Sequence, residues 1–196
     1  MKFNFKIQQY QSDAVNSVVQ VFAGQPNIGR TSYVRDLGIQ KPNTQLSFDN
    51  TEVFGEDAKL GFGNAEIVLD DSALLRNINN IQRKNSIRQS LTLAEHLGRC
   101  SLDIEMETGT GKTYVYIKTI FEMNKLYGWS KFIIVVPSIA IREGVKKSFE
   151  MTQDHFMEHY GKKARFFIYN SSNLNQLDNF SSNSGINVMI INTQAF

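Results

Sequence analysis

The second half of the chain carries four short apolar runs, "CSLDIEM", "KFIIVVP", "ARFFIY" and "INVMIIN". Each is rich in Ile, Val or Phe and is bounded by turn residues, the pattern of short buried strands. Between the first three lie stretches with helical periodicity, at residues 112–127 and 138–159. Strands alternating with helices predict a parallel sheet with helices on its faces, an α/β fold. The polar segment "NSSNLNQLDNFSSNSG" between the last two runs reads as a mobile connecting loop.

The first half is less regular. "QQYQSDAVNSVVQVFAG" sets Ala14, Val15, Val18, Val19 and Phe22 on one helical face, and Gly24 ends the helix. Residues 25–63 lose this periodicity. Pro26, Pro42, five glycines and scattered Asn and Thr predict an irregular insertion with room for short strands. "AEIVLDDSALLRNINNIQRKNSI" then reads as a brief strand, a turn capped by Asp71 or Ser72, and a helix. No internal repeat is present.

Composition narrows the class only slightly. With 196 residues, 41% hydrophobic and 20% charged, the chain suits one folded α/β domain rather than two and is not a disordered polyelectrolyte. The net charge of +2 is too small to argue for nucleic acid, so any such contact must come from local placement. A lone cysteine, Cys100, excludes an internal disulfide and fits a reducing compartment. No segment has the length or apolarity of a membrane span, and "MKFNFKIQQYQ" lacks a signal-peptide core. These features predict a cytoplasmic domain.

The chemistry concentrates in "METGTGKT". Gly109 and Gly111 let the backbone curl so that successive N–H groups converge on anionic oxygens. Lys112 supplies a compact positive charge for the outer phosphates, and the Thr113 hydroxyl is a Mg²⁺ ligand in such loops. A strand expected before the loop and a helix after it complete the required context, with the helix dipole facing the same phosphates. Met106 stands where the strict pattern has its first glycine. A dinucleotide fingerprint fails, because Tyr114 occupies its third glycine position. Thr108, Gly109, Thr110, Gly111, Lys112 and Thr113 are therefore the candidate site for ATP and Mg²⁺, with Lys112 as the catalytic cation. The alternative is a glycine-rich strand-to-helix turn whose lysine is merely solvated.

Further stretches extend the reading. "QYQSDAV", "METGTGKT", "PSIAIREGV" and "INTQAF" follow one another in the order of the Q-type motif, motif I, motif Ia and motif Ib of superfamily 2 helicases. The wording of "DIEMETGTGKTYVY" with "KFIIVVPSIAIREGV" most resembles the Res subunit of type III restriction enzymes, over nearly the whole chain and most weakly between residues 25 and 67. The resemblance implies a RecA-like P-loop NTPase domain, residues 1–196 forming the N-terminal part of its first lobe and so an incomplete one. It implies that Gln11 reads the adenine edge with Tyr10 packed nearby, and that Ser138, Arg142, Thr193 and Gln194 touch DNA. An amide donates and accepts as adenine does, but Gln11 also reads as a solvated helix residue. Likewise Ser138 reads as an N-cap and Arg142 as a surface cation.

The same resemblance implies an ATP-driven translocase acting on double-stranded DNA, partnered by a modification (methyltransferase) subunit and coupled to DNA cleavage by an endonuclease. Two alternatives stand beside it: a fragment that only binds nucleotide, and the motor of a type I restriction enzyme or a DNA-repair helicase. The motor requires an acidic pair for Mg²⁺ and the attacking water, and no apolar run after Lys112 ends in Asp-Glu. "IVLDD" resembles such a run but precedes the loop, so Asp70 and Asp71 read as a turn and helix cap. "HFMEH" matches a zinc-protease pattern, yet His155 and His159 lack a third ligand and read as solvated helix residues. Lys146, Lys147, Lys162, Lys163 and Arg165 read as a solvated face able to widen a DNA track. An incomplete lobe leaves a sheet edge unpaired, which predicts self-association.

Overall fold

The computed structural model describes residues 5–29, 31–35, 60–96, 98–172 and 174–195. The centre of the predicted insertion, residues 36–59, lies outside them. Its flanks form two short strands, β1 (Thr31–Val34) and β2 (Leu60–Gly63), paired antiparallel with Thr31 opposite Gly63.

Helix α1 (Gln9–Val19) runs into a 3-10 turn at Gln20–Phe22, and Gly24 follows at φ +97°. Its expected apolar face is the buried one. Val15, Val19 and Phe22 are buried, and Ala14 and Val18 pack against the same core. Helix α2 (Asp71–Lys84) is capped one residue before the expected caps. Asp70 is the N-cap, accepting from the Ala73 N–H at 2.7 Å, and Arg83 and Lys84 lie at the negative end of the helix dipole.

Helix α3 (Lys112–Tyr127) occupies the range its periodicity predicts. It is apolar on two sides because it separates two cores. Ile117, Ile120 and Phe121 face one core, and Val115, Met123 and Tyr127 face the other with α1 and α2. Strand β3 (Lys131–Val136), helix α4 (Ile139–Tyr160), strand β4 (Arg165–Ile168), helix α5 (Leu174–Ser182) and strand β5 (Asn187–Asn192) follow. The strands form a parallel sheet of order β3-β5-β4, with Lys131 and Arg165 both opposite Asn187. In central β5, Val188 and Ile190 are fully buried. Phe132, Ile134, Val136 and Phe166 share their face against α3 and α4. This is the α/β, RecA-like arrangement predicted from the alternation of runs.

Three expectations need correction. Residues 100–106 are not a strand. Cys100, Leu102 and Met106 pack on the second core, but no strand of the described residues offers this segment a ladder. The brief strand expected at residues 65–69 is also absent. There the buried Gln25 side chain takes the partner's place, its Nε2 donating to the Glu66 carbonyl at 2.9 Å and its Oε1 accepting from the Val68 N–H at 3.0 Å. Finally, the polar connection before β5 contains α5 instead of being loop throughout. Phe180 anchors it edge-on to Phe167 at 6.0 Å, and Arg35 reaches the Asp178 carboxylate at 3.1 Å and the Ser181 hydroxyl at 2.7 Å.

Candidate nucleotide site and strand-end cluster

The loop before α3 has the left-handed glycines its sequence requires, although no strand leads into it. Gly109 and Gly111 adopt φ +83° and +87°, a region that strains any residue with a Cβ. A Cβ on Gly109 would meet nothing within 4 Å, so that side of the loop is open. The Thr110 hydroxyl closes the turn by donating to the Glu107 carbonyl at 2.7 Å. Gly111 is the N-cap of α3, whose first turn holds no acidic residue to offset its positive dipole end. Lys112 is exposed, and its Nζ donates back to the Met106 carbonyl. Met106 thereby explains its own tolerance at a glycine position: its side chain packs into the second core while its carbonyl faces the lysine. Thr113, one residue on, is half-buried in the first turn. Thr108 lies exposed at the loop's edge.

Gln11 is not a solvated helix residue. It is buried, and its Nε2 donates to the Thr110 carbonyl at 2.9 Å. The Tyr10 hydroxyl donates to the same oxygen at 3.2 Å. In the second turn of α3, Lys118 Nζ donates to the Ser12 hydroxyl at 3.1 Å, a second tie between the helices. The sequence places Gln11 and the loop 99 residues apart, and the fold makes them neighbours.

A second group gathers at the carboxyl ends of β3 and β5, where Val136 lies opposite Asn192. Ser138 is the N-cap of α4 and accepts from the Ile141 N–H at 3.3 Å. Arg142 reaches back to the buried Asn192 side chain at 3.4 Å and pairs with Glu143 at 3.1 Å. Thr193 and Gln194 are exposed in the 3-10 turn that follows β5. The four candidate DNA-contact residues thus follow the carboxyl ends of two neighbouring strands, although the structure gives Ser138 and Arg142 intramolecular partners as well.

The remaining candidates resolve into structural roles. Asp70 caps α2, and the Ala73 N–H and Ser72 hydroxyl hold its carboxyl below the ordinary aspartate value. Asp71 pairs with Arg99 at 2.8 Å, and Arg99 also donates to the Ile67 and Leu69 carbonyls. His155 is half-buried, not solvated: its Nε2 meets the Tyr114 hydroxyl at 2.9 Å, and Phe5 and Phe156 flank it. His159 is exposed and bonds to the His155 carbonyl at 2.8 Å. Among the described residues no three potential metal ligands come together. Lys146 approaches Glu150 at 4.0 Å, while Lys147, Lys162, Lys163 and Arg165 are exposed. Lys131, which the sequence did not single out, is half-buried over the Phe180 ring. Burial lowers its pKa to about 8. No helix of the described residues is long and apolar enough to cross a membrane.

The family described as "Type III restriction enzyme, res subunit" matches residues 4–196. The chain is 39% identical over 111 residues to the Res subunit of the type III restriction-modification enzyme EcoP15I of Escherichia coli, covering 55% of this chain and 11% of that relative. It is 34% identical over 110 residues to the EcoPI Res subunit of Escherichia phage P1, with the same coverage. To the StyLTI Res subunit of Salmonella typhimurium it is 42% identical over 64 residues, 33% of this chain and 6% of the relative. These matches span only about a tenth of the relatives' length. On the family match, which takes in nearly every residue, the chain belongs to the Res subunit family of type III restriction enzymes.

Proposed function

We propose that this chain is the nucleotide-binding part of a DNA translocase whose ATP turnover is coupled to DNA cleavage, working with a modification subunit on double-stranded DNA. The observation that carries the ATP assignment is the loop itself. Two glycines hold positive φ, one side is open, and an exposed lysine and an uncompensated helix N-terminus meet there. Such a cradle fits the phosphates of ATP. Lys112 would exchange the Met106 carbonyl for phosphate oxygens, and the Thr113 hydroxyl would supply one ligand to Mg²⁺, which neutralises phosphate charge. Ser138, Arg142, Thr193 and Gln194 would form part of the DNA track at the ends of β3 and β5.

A narrower reading has its own support. Asp70 and Asp71 are committed to a helix cap and an ion pair, so neither is an acid waiting beside the loop. The chain by itself then binds nucleotide with little turnover. The test is to measure Mg-ATP binding and hydrolysis with and without duplex DNA, alongside Lys112→Ala. Binding that Lys112→Ala abolishes, without turnover, supports the site and the narrower reading for this chain. DNA-stimulated turnover supports the motor reading here. Wild-type protein that binds no ATP sinks the nucleotide assignment for this chain.

A further inference from the structure

The Thr110 carbonyl receives two hydrogen bonds from α1, from Gln11 Nε2 at 2.9 Å and from the Tyr10 hydroxyl at 3.2 Å. A carbonyl oxygen only accepts, so the NH₂ end of the Gln11 amide must face it. The contact is close: a Cβ on Gly111 would lie 2.5 Å from Gln11 Nε2. Gln11 is also buried, whereas Tyr10 is half-exposed.

We infer that Gln11 and Tyr10 are positioning residues for the phosphate loop, acting through the Thr110–Gly111 peptide. This rests on the nucleotide-site reading above and deepens it. The physical reason is peptide planarity. The Thr110 C=O and the Gly111 N–H belong to one rigid, trans unit and point in opposite directions. Two donors that fix the carbonyl toward α1 therefore fix the Gly111 N–H away from α1. Gly111 needs such help, because a glycine at φ +87° has freedom that its own side chain cannot restrict. The loop is thus oriented from outside before any phosphate arrives, and preorganised donors bind anions without an ordering cost at the moment of binding.

Base reading and loop positioning make different demands on ligands. A residue that reads adenine matters for ATP and not for a bare polyphosphate. A residue that sets the loop matters equally for both. The experiment is calorimetric titration of the full chain with Mg-ATP, Mg-GTP and Mg-tripolyphosphate, in wild type, Gln11→Ala and Tyr10→Phe. Positioning predicts that Gln11→Ala weakens ATP and tripolyphosphate by the same factor, roughly three- to tenfold for a lost partly buried hydrogen bond, and leaves the ATP-to-GTP ratio unchanged. Tyr10→Phe, which removes only the hydroxyl of a half-exposed ring and so threatens folding less, shifts both ligands in parallel by a smaller factor. Weakened ATP with unchanged tripolyphosphate, or a collapsed ATP-to-GTP ratio, overturns positioning in favour of adenine reading. Unchanged binding of every ligand in both variants overturns it too. Wild type that binds neither ATP nor tripolyphosphate overturns the nucleotide site itself, a failure separable from the others.

Discussion

The Tyr114 hydroxyl and His155 Nε2 are 2.9 Å apart, linking the first turn of α3, two residues past Lys112, to the last third of α4. Burial pushes the His155 pKa down, helped by His159 and Lys118 and opposed by Glu158. The folded protein therefore favours neutral imidazole. The stability this gives is complete above the ordinary histidine value of about 6.5 and is lost as pH falls through the lowered folded value. Urea melts from pH 7.5 to 5 should show wild type losing more stability on acidification than His155→Gln. Parallel curves for the two proteins would refute the assignment. At pH 7.5, Tyr114→Phe should cost about 1 kcal/mol, the usual value of one such bond.

Gln25 offers a test of how residues 65–69 are held without a strand partner. Its amide serves the Glu66 carbonyl and the Val68 N–H together. Gln25→Ala removes both partners from partly buried backbone, at a cost of about 2 kcal/mol. Gln25→Glu keeps the acceptor for Val68 but sets a buried carboxylate against the Glu66 carbonyl, so its cost should exceed that of alanine. Equal stability of Gln25→Ala and wild type in denaturant titration would show that water replaces the amide at no cost.

Ser138 separates a cap from a DNA contact. As N-cap of α4 it accepts from the Ile141 N–H at the long distance of 3.3 Å. Ser138→Ala should therefore destabilise by about 0.5 kcal/mol, the low end for caps, and Ser138→Asp should restore the loss. The two substitutions diverge on DNA, because aspartate caps well but repels phosphate. Duplex affinity below wild type for Ser138→Asp, at wild-type stability, would place the hydroxyl at the backbone. Affinity that simply follows stability would leave Ser138 as a cap alone.

What the sequence showed and what it hid follow from the range of the interactions. Helix α3 was legible to the residue because glycines end it on both sides, Gly111 and Gly128 both at positive φ. The sheet strands β3, β4 and β5 were legible because buried strands need apolar runs wherever they pair. The run at residues 100–106 reads as a strand by its alternating apolar positions but has no ladder, since pairing is a property of the neighbour and not of the run. Gln25 and Gln11 were beyond sequence periodicity for the same reason. Gln25 works on backbone about 40 residues away, and Gln11 on backbone 99 residues away. Helix α5 was hidden by polarity: "LNQLDNFSS" has few apolar positions, and its placement depends on Phe180 and on Arg35 from β1's flank.

The outer face of β3 is apolar and largely uncovered. Ile133 and Val135 are 55% and 49% exposed, on the face that α5 covers only near Lys131 and Phe167. Asn64 bonds to the Lys131 N–H and carbonyl, but no strand among the described residues pairs with the rest of this edge. An apolar, unpaired edge is a template for another chain, and finishing the burial of each side chain is worth about 1 kcal/mol. The isolated chain should therefore sediment with a concentration-dependent mass. Val135→Lys, which puts a charge on the open face, should return it toward monomer without loss of stability. A sharp monomer boundary at all concentrations would exclude this edge as a self-association surface. Association unaffected by Val135→Lys would move the contact elsewhere on the molecule.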